Sequence, residues 1–314
     1  MLLLEQYWQE FMDFVDRFVT GAREEGGIDL EVALRPSASV EACARRLSHN
    51  KFEIMVTTRI RDSIFKETIV DNIFKPLIET LQRQYHCSDP MEYFQKAFCF
   101  NTWAILFCHE CGHIIKGHAL LLPLSAALTE TVPCDGDAIE PAFRSILEFD
   151  ADLYAGQAVG PVSKFMLFEG PNEQAAEMTG MAVISVSTVY LMAFLNKHGR
   201  EAIGDDIYPP YRARLNGLAL SYLNSRRHYL ENSDIQREDH RLEPSPLDVQ
   251  VYKNIIALAM ETLHDLGYPA LNSTPEREAE WKGQYEAYKD RLLSVHDRMR
   301  TLFPSKKDPK LRRP

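Results

Sequence analysis

The sequence His-Glu-Cys-Gly-His-Ile-Ile-Lys-Gly-His occupies residues 109 to 118 and constrains how the centre of this chain folds. On an α-helix, residues four apart point the same way, so His109 and His113 can offer two imidazole nitrogens to one metal ion. Glu110 lies about 100° round the helix from His109, which places its carboxylate beside the metal rather than on it. There it can accept a proton from a water molecule at the metal. The pattern therefore predicts a catalytic zinc site carried on one helix.

An isolated pattern of this kind arises by chance in about one chain of this size in a hundred, so its context matters. The preceding residues 90 to 107 are mostly apolar, with Pro90 at the expected first helical position and Ser88 or Asp89 as the expected N-cap. We therefore expect a buried helix that leads into the motif and ends near Gly117. A chance match on a buried helix remains the alternative.

A third ligand is needed, because a zinc enzyme usually takes three protein ligands and leaves a fourth position open. The best candidate is Glu148, which lies in the helix-like segment Glu-Phe-Asp-Ala-Asp at residues 148 to 152. Glu148 and Asp152 share a helix face, so one can bind zinc while the other accepts the outer N–H of His109. Two alternatives stay open: Asp150 as the ligand, and Asp152 in a surface salt bridge.

The combination of His-Glu-x-x-His with a later Glu-x-x-Ala-Asp resembles the gluzincin metallopeptidases of the CAAX prenyl-protease and HtpX group. Residues 208 to 215, Tyr-Pro-Pro-Tyr-Arg-Ala-Arg-Leu, line up with that group's His-Pro-x-x-x-x-Arg-Ile. Tyr208 replaces the group's histidine, and Leu153 stands where many members carry arginine. The resemblance covers about residues 100 to 218, in the group's order.

This resemblance implies a zincin-like fold, Zn²⁺ as the cofactor, and a ligand set of His109, His113 and Glu148. It also implies Glu110 as general base and Arg214 near the substrate or the oxyanion. Tyr208 could donate a hydrogen bond to the tetrahedral intermediate. In gluzincins an edge strand beside the active-site helix pairs with the substrate backbone, and residues 51 to 59 are the candidate for it.

The predicted fold class is α+β, mostly α, with the active-site helix beside a small β-sheet and a helical carboxy-terminal part. Periodicity and turn residues predict helices at residues 3 to 19, 40 to 47, 64 to 85, 247 to 266 and 275 to 303, and strands at residues 27 to 34 and 51 to 59. We expect a zincin-like domain at residues 1 to 231 and a helical subdomain at residues 232 to 304. Residues 305 to 314, with five basic side chains and two prolines, are expected to be a disordered tail.

The net charge of −10 argues against a nucleic-acid partner. Six cysteines without a framework spacing predict reduced thiols, and Cys108 and Cys111 are expected to be buried. His118 is expected on the side of the helix opposite His109. The most apolar window, residues 178 to 195, is at the lower limit for crossing a bilayer and is interpreted as a buried helix. Since the first residues lack a signal peptide, we expect a cytoplasmic protein rather than a membrane-bound one.

These features predict a zinc-dependent endopeptidase with protein or peptide substrates. Because unrestricted proteolysis in the cytoplasm is harmful, we expect narrow specificity or control, with a regulatory protein partner, in stress response or antiphage defence. One alternative is a non-enzymatic, zinc-stabilised helical scaffold, although such a site has no use for Glu110. Another is a membrane-associated protease similar to HtpX, in which residues 178 to 195 insert.

Overall fold

The computed structural model describes residues 2–122, 127–129, 139–162, 173–199, 209–210, 213–218, 221–222, 225, 246–268, 271 and 274–304. Its helices are α1 (Leu2–Gly26), α2 (Thr58–Phe65), α3 (Lys75–Tyr85), α4 (Met91–Ile115), α5 (Pro141–Val162), α6 (Glu173–Gly199), α7 (Pro246–Asp265) and α8 (Pro275–Leu302). Its strands are β1 (Asp29–Arg35), β2 (Ala42–Arg46), β3 (Lys51–Thr57) and β4 (Ala127–Thr129). A mostly helical α+β chain with a small sheet is confirmed. The predicted domain boundary between residues 231 and 232, and the predicted tail at residues 305 to 314, lie outside the described residues.

Helix α4 runs through the centre of the protein and carries the His-Glu-x-x-His motif near its end. Every side chain from residue 97 to residue 114 is buried, because this helix is apolar on all sides. Helices α1, α5 and α6 and the sheet pack around it. The helix ends at Ile115, and Gly117 follows with a φ of 86°, a left-handed conformation that favours glycine. The predicted end of the helix near Gly117 is confirmed.

The sheet has the strand order β1-β3-β2-β4. Strand β1 runs parallel to β3, whereas β2 runs antiparallel to both β3 and β4. Strands β2 and β3 contact α4, so the helix does lie beside a small sheet, as predicted. Phe52, Ile54 and Val56 of β3 are buried, and so is Glu53 between them.

Two predictions about the sheet are wrong. Residues 40 to 47, predicted to be helical, contain strand β2, because pairing with β3 and β4 and packing of the small Ala42 and Ala44 override a weak local preference. Residues 51 to 59 do not form an edge strand, since β3 lies between β1 and β2 and both of its backbone edges are paired. On the β2 side, the outermost described strand is β4.

The single helix predicted at residues 64 to 85 is broken in two. Helix α2 passes into a π-helical turn, Lys66–Val70, and the chain then turns at Asn72, which has a φ of 49°. Pro76 lies in the first turn of α3, where its missing N–H costs nothing. The apolar periodicity continues through the break, which explains why the sequence pattern did not reveal it.

Helix α6 contains the one described segment, Met178–His198, that is long and apolar enough to cross a membrane by length and composition. The protein itself buries 89% of its most apolar window. The segment is therefore packed as a core helix, between α4 on one side and α3 and α7 on others. This agrees with the buried helix predicted for residues 178 to 195.

Helices α4 and α5 cross closely at Gly112 and Ala151. A Cβ atom on Gly112 would lie 2.9 Å from the Cα atom of Ala151 and 3.0 Å from its carbonyl oxygen. Because both neighbours are backbone atoms, any side chain at position 112 would force the two helices apart. The close crossing brings Glu148, about one turn before Ala151, towards the histidines of α4.

Replacing Gly112 by alanine should therefore destabilise the protein although alanine is the better helix former. We expect overpacking to cost about 1–3 kcal/mol of the free energy of unfolding. Gly283→Ala is the matched control, because Gly283 is exposed in α8 and a Cβ atom there meets nothing within 4 Å. Urea denaturation of both variants would measure the difference. Equal stability of the two variants would contradict the close crossing.

Candidate metal centre

The structure brings His109 and His113 of α4 together with Glu148 of α5. The two Nε2 atoms are 3.1 Å apart. Glu148 Oε2 lies 3.3 Å from His109 Nε2, and Glu148 Oε1 lies 3.7 Å from His113 Nε2. All three side chains are buried, so their ligand atoms converge on one point inside the protein.

The spacing of this cluster is compatible with a metal ion. For comparison, four ligand atoms at about 2.0–2.1 Å from Zn²⁺ in a tetrahedron lie about 3.3 Å from one another. Glu148 Oε2 is buried and makes no hydrogen bond in the described part of the chain. A buried carboxylate oxygen of that kind is costly unless a cation satisfies it. The described residues supply three ligands, the number that catalytic zinc sites take.

Asp152 contacts Nδ1 of His109, the ring nitrogen that points away from the cluster. Its Oδ1 lies 2.9 Å from His109 Nδ1, so the predicted contact between these two residues is present. An ionised carboxylate only accepts, and therefore His109 carries its proton on Nδ1 and directs the Nε2 lone pair at the cluster. Both residues are buried, which excludes the surface salt bridge that the sequence left open for Asp152.

Arg214 lies behind Asp152 rather than at the ligand atoms. Its Nε donates to Asp152 Oδ2 at 2.6 Å, and a terminal nitrogen donates to Oδ1 at 3.0 Å. This bidentate pair is buried and fixes the carboxylate in one orientation. Arg214 thus reaches the metal ligands through Asp152 and His109.

Glu110 is fully buried, and strand β2 packs against the helix that carries it. Burial raises the pKa of the Cys43 thiol of β2 to about 12, and the nearby Glu110 carboxylate contributes to that rise. The general-base candidate is therefore close to the sheet.

Electrostatics favour the ionised form of the carboxylates in this centre. Burial alone would oppose ionisation of Glu148, yet His113 and His109 beside it hold the pKa of that carboxyl well below its usual range. The pKa of Asp152 is also lowered, since Arg214 and His109 together outweigh its burial. Ionised Glu148 is the form that binds a metal.

Sequence reasoning did not predict the group that His118, Asp150 and His296 form next to the centre. Asp150, the alternative ligand, lies in this group and not in the cluster of His109 and His113. His118 Nδ1 lies 3.0 Å from His113 Nδ1, and its Nε2 lies 3.0 Å from Asp150 Oδ2. His296 of α8 contacts the same Asp150 oxygen through Nε2 at 2.7 Å. The prediction that His118 faces away is wrong, because α4 ends at Ile115 and the turn at Gly117 redirects the chain. A helical projection cannot be extended through such a turn.

The remaining sequence predictions concern Tyr208 and the six cysteines. Tyr208 lies outside the described residues. Five cysteines are free and buried, including Cys108 and Cys111, as expected; they are Cys43, Cys87, Cys99, Cys108 and Cys111. Cys134 also lies outside the described residues.

Comparison of the chain with protein-family models, with curated proteins and with solved structures gives no match. The interpretation of this centre therefore rests on its own residues and geometry. The buried His/Glu cluster could hold a metal ion.

Arg214→Met should destabilise the protein strongly, because it leaves the buried Asp152 charge without its cation. Breaking a buried pair on one side costs about 3–5 kcal/mol. Arg300→Met is the control, since Arg300 pairs with Asp297 where the two side chains are 73% and 72% exposed. Urea denaturation should show a large loss only for Arg214→Met. Similar losses for both variants would mean that the Arg214 pair contributes no more than a surface contact.

Proposed function

We propose that this protein is a zinc-dependent endopeptidase with a zincin-like fold. The observation that carries the proposal is the convergence of His109, His113 and Glu148, with Glu110 on the same helix between the two histidines. Two histidines and one carboxylate form one of the ligand sets that catalytic zinc sites use. The motif resemblance to the CAAX prenyl-protease and HtpX group points to the same reaction.

A zinc ion in this centre supplies a Lewis acid that polarises a carbonyl group and acidifies water. Glu110 accepts the proton of the attacking water and returns it to the leaving amine. Asp152 keeps His109 in the tautomer that binds metal, and Arg214 keeps Asp152 in place. Tyr208 is proposed to donate a hydrogen bond to the oxyanion. Because Arg214 pairs with Asp152, we propose that it supports the ligands from behind instead of taking the oxyanion role that the resemblance implies.

The substrate backbone is proposed to add to the sheet along β4. Thr129 of β4 pairs with Cys43 of β2, and Cys43 lies beside Glu110. Neighbouring strands are about 4.8 Å apart. Strand β4 is therefore about 4.8 Å from the strand that carries Cys43, and a substrate strand would pair with the other edge of β4. Pairing along this edge would hold a peptide extended near the metal.

The substrates are proposed to be proteins or peptides, and the site to be cytoplasmic, with narrow specificity or a regulatory protein partner that controls access. Burial of the whole centre supports control, because Glu110 and the ligands are between 0% and 2% exposed. A stress-response or antiphage role would need such restraint. The net charge of −10 is consistent with the absence of a nucleic-acid partner.

The same burial is the observation that favours the rival function, a zinc-stabilised scaffold without catalysis. Structural zinc sites are closed to water, whereas a catalytic site must admit its substrate. The two functions differ in the role of Glu110, since a scaffold does not require a general base.

Glu110→Gln should keep the metal and lose the activity. We expect one zinc per chain in wild type and variant by elemental analysis, and a fall of about 10²–10⁴-fold in cleavage rate because the amide cannot take a proton. The probe is a library of peptides derived from a cell lysate, with new termini detected by mass spectrometry. Glu92→Gln is the control, because Glu92 is exposed in the first turn of α4.

Several outcomes would separate the alternatives. Zinc in every variant without cleavage by any of them would favour the scaffold. No zinc in the wild type would overturn the metal centre itself. Rapid digestion of unfolded casein by the wild type would contradict the narrow specificity but not the peptidase chemistry.

A further inference from the structure

A second group of buried polar side chains adjoins the metal centre on the side away from Asp152. It consists of His118, Asp150 and His296, and their nitrogen and oxygen atoms lie close enough to hold a metal ion. The group is contributed by three parts of the chain: the turn after α4, helix α5 and helix α8. Because the group lies beside His113, it is either a second metal site or a hydrogen-bonded support for the first site.

The positions of the protons distinguish these two roles, and the Asp150 carboxylate determines the first of them. Ionised Asp150 only accepts, so His118 donates through Nε2 at 3.0 Å and His296 donates through Nε2 at 2.7 Å. A neutral His118 with its proton on Nε2 has a lone pair on Nδ1. His113 must therefore donate its Nδ1 proton across the 3.0 Å contact to His118.

This proton arrangement leaves the Nε2 lone pair of His113 directed at His109 and Glu148, which is what a metal ligand needs. In the same arrangement, His118 donates its Nε2 proton to Asp150. His118 then has no lone pair for a second metal ion, since one ring nitrogen donates and the other accepts. The two sites exclude each other as long as these histidines are neutral.

Helix α8 closes this group from the carboxy-terminal part of the chain. His296 is nearly buried, with 12% of its side chain exposed. Met299, on the same helix, packs so closely on the turn after α4 that a Cβ atom on Gly117 would lie 2.8 Å from Met299 Cβ. The helix therefore touches both the turn that carries His118 and the carboxylate that orients it.

We propose that His118 and Asp150 are positioning residues for His113, and that His296 fastens them to helix α8, so that the carboxy-terminal helix controls how tightly the metal is held. The inference rests on the metal centre of the proposed function. It assigns to helix α8, which lies more than 150 residues after His113 in the sequence, a direct link to one of the ligands.

Zinc affinity tests the proposal without any measurement of cleavage. His118→Phe keeps an aromatic ring but removes both hydrogen bonds, and we expect its zinc dissociation constant to rise about 10–100-fold in competition with a chromophoric chelator. His118→Asn places an amide oxygen near the Nδ1 position, where it can still accept from His113, and should recover most of the affinity. His296→Phe should release zinc faster than the wild type. His264→Phe, at an exposed histidine of α7, should behave as the wild type does.

A second readout reports the protons directly. Nitrogen-15 spectra of the histidine rings in the zinc-loaded wild type should show His118 and His296 protonated on Nε2, and His113 protonated on Nδ1. His118 protonated on Nδ1 would overturn the proposal. This measurement needs no variant, so it holds even if His118→Phe does not fold.

The outcomes distinguish this inference from the proposed function. A wild type that binds one zinc tightly, with His118→Phe and His296→Phe equally tight, would overturn the inference alone. Two zinc ions per wild-type chain would also overturn it, because the second group would then be a metal site. A wild type that binds no zinc would overturn the proposed function together with the inference.

Discussion

The close crossing of α4 and α5 is the constraint on which the centre of this protein depends. The two motif histidines lie on one helix and the carboxylate on another, so a shared metal ion requires the two backbones to approach. Gly112 permits the approach, because a Cβ atom there would meet the backbone of Ala151. The glycine inside the motif is thus as important for the geometry as the candidate ligands.

Helix α5 supplies three carboxylates with different tasks, and their spacing explains the division. Glu148 and Asp152 are one turn apart on the same face, so one reaches the ligand cluster and the other reaches the outer nitrogen of His109. Asp150 points about 200° away from Glu148 and meets His118, which the chain reversal at Gly117 has brought to that side. Each motif histidine therefore has its own hydrogen-bonding partner, Asp152 for His109 and His118 for His113.

The sequence predicted those features that depend on local spacing. The helical motif and the contact of Asp152 with His109 both follow from residues four apart. Features that depend on pairing between distant residues were missed. Strand β2 forms because β3 and β4 pair with it, and β3 is central because it pairs with both β1 and β2. His118 and His296 were missed for the same reason, since a turn and a remote helix bring them together. Nothing in the spacing of His296 relates it to His113.

The two sides of the metal centre differ in how firmly they are closed. On the His118 side, α8 adds an apolar cluster with α5, including Phe143, Ile146 and Leu147, to the hydrogen bond from His296. On the sheet side, β4 pairs with β2 at three described positions, among them Cys43, whose thiol is close to Glu110. Local opening requires least free energy where few buried contacts and few backbone hydrogen bonds are lost. In the proposed peptidase, a substrate that enters from the β4 side would meet the attacking water whose proton Glu110 accepts.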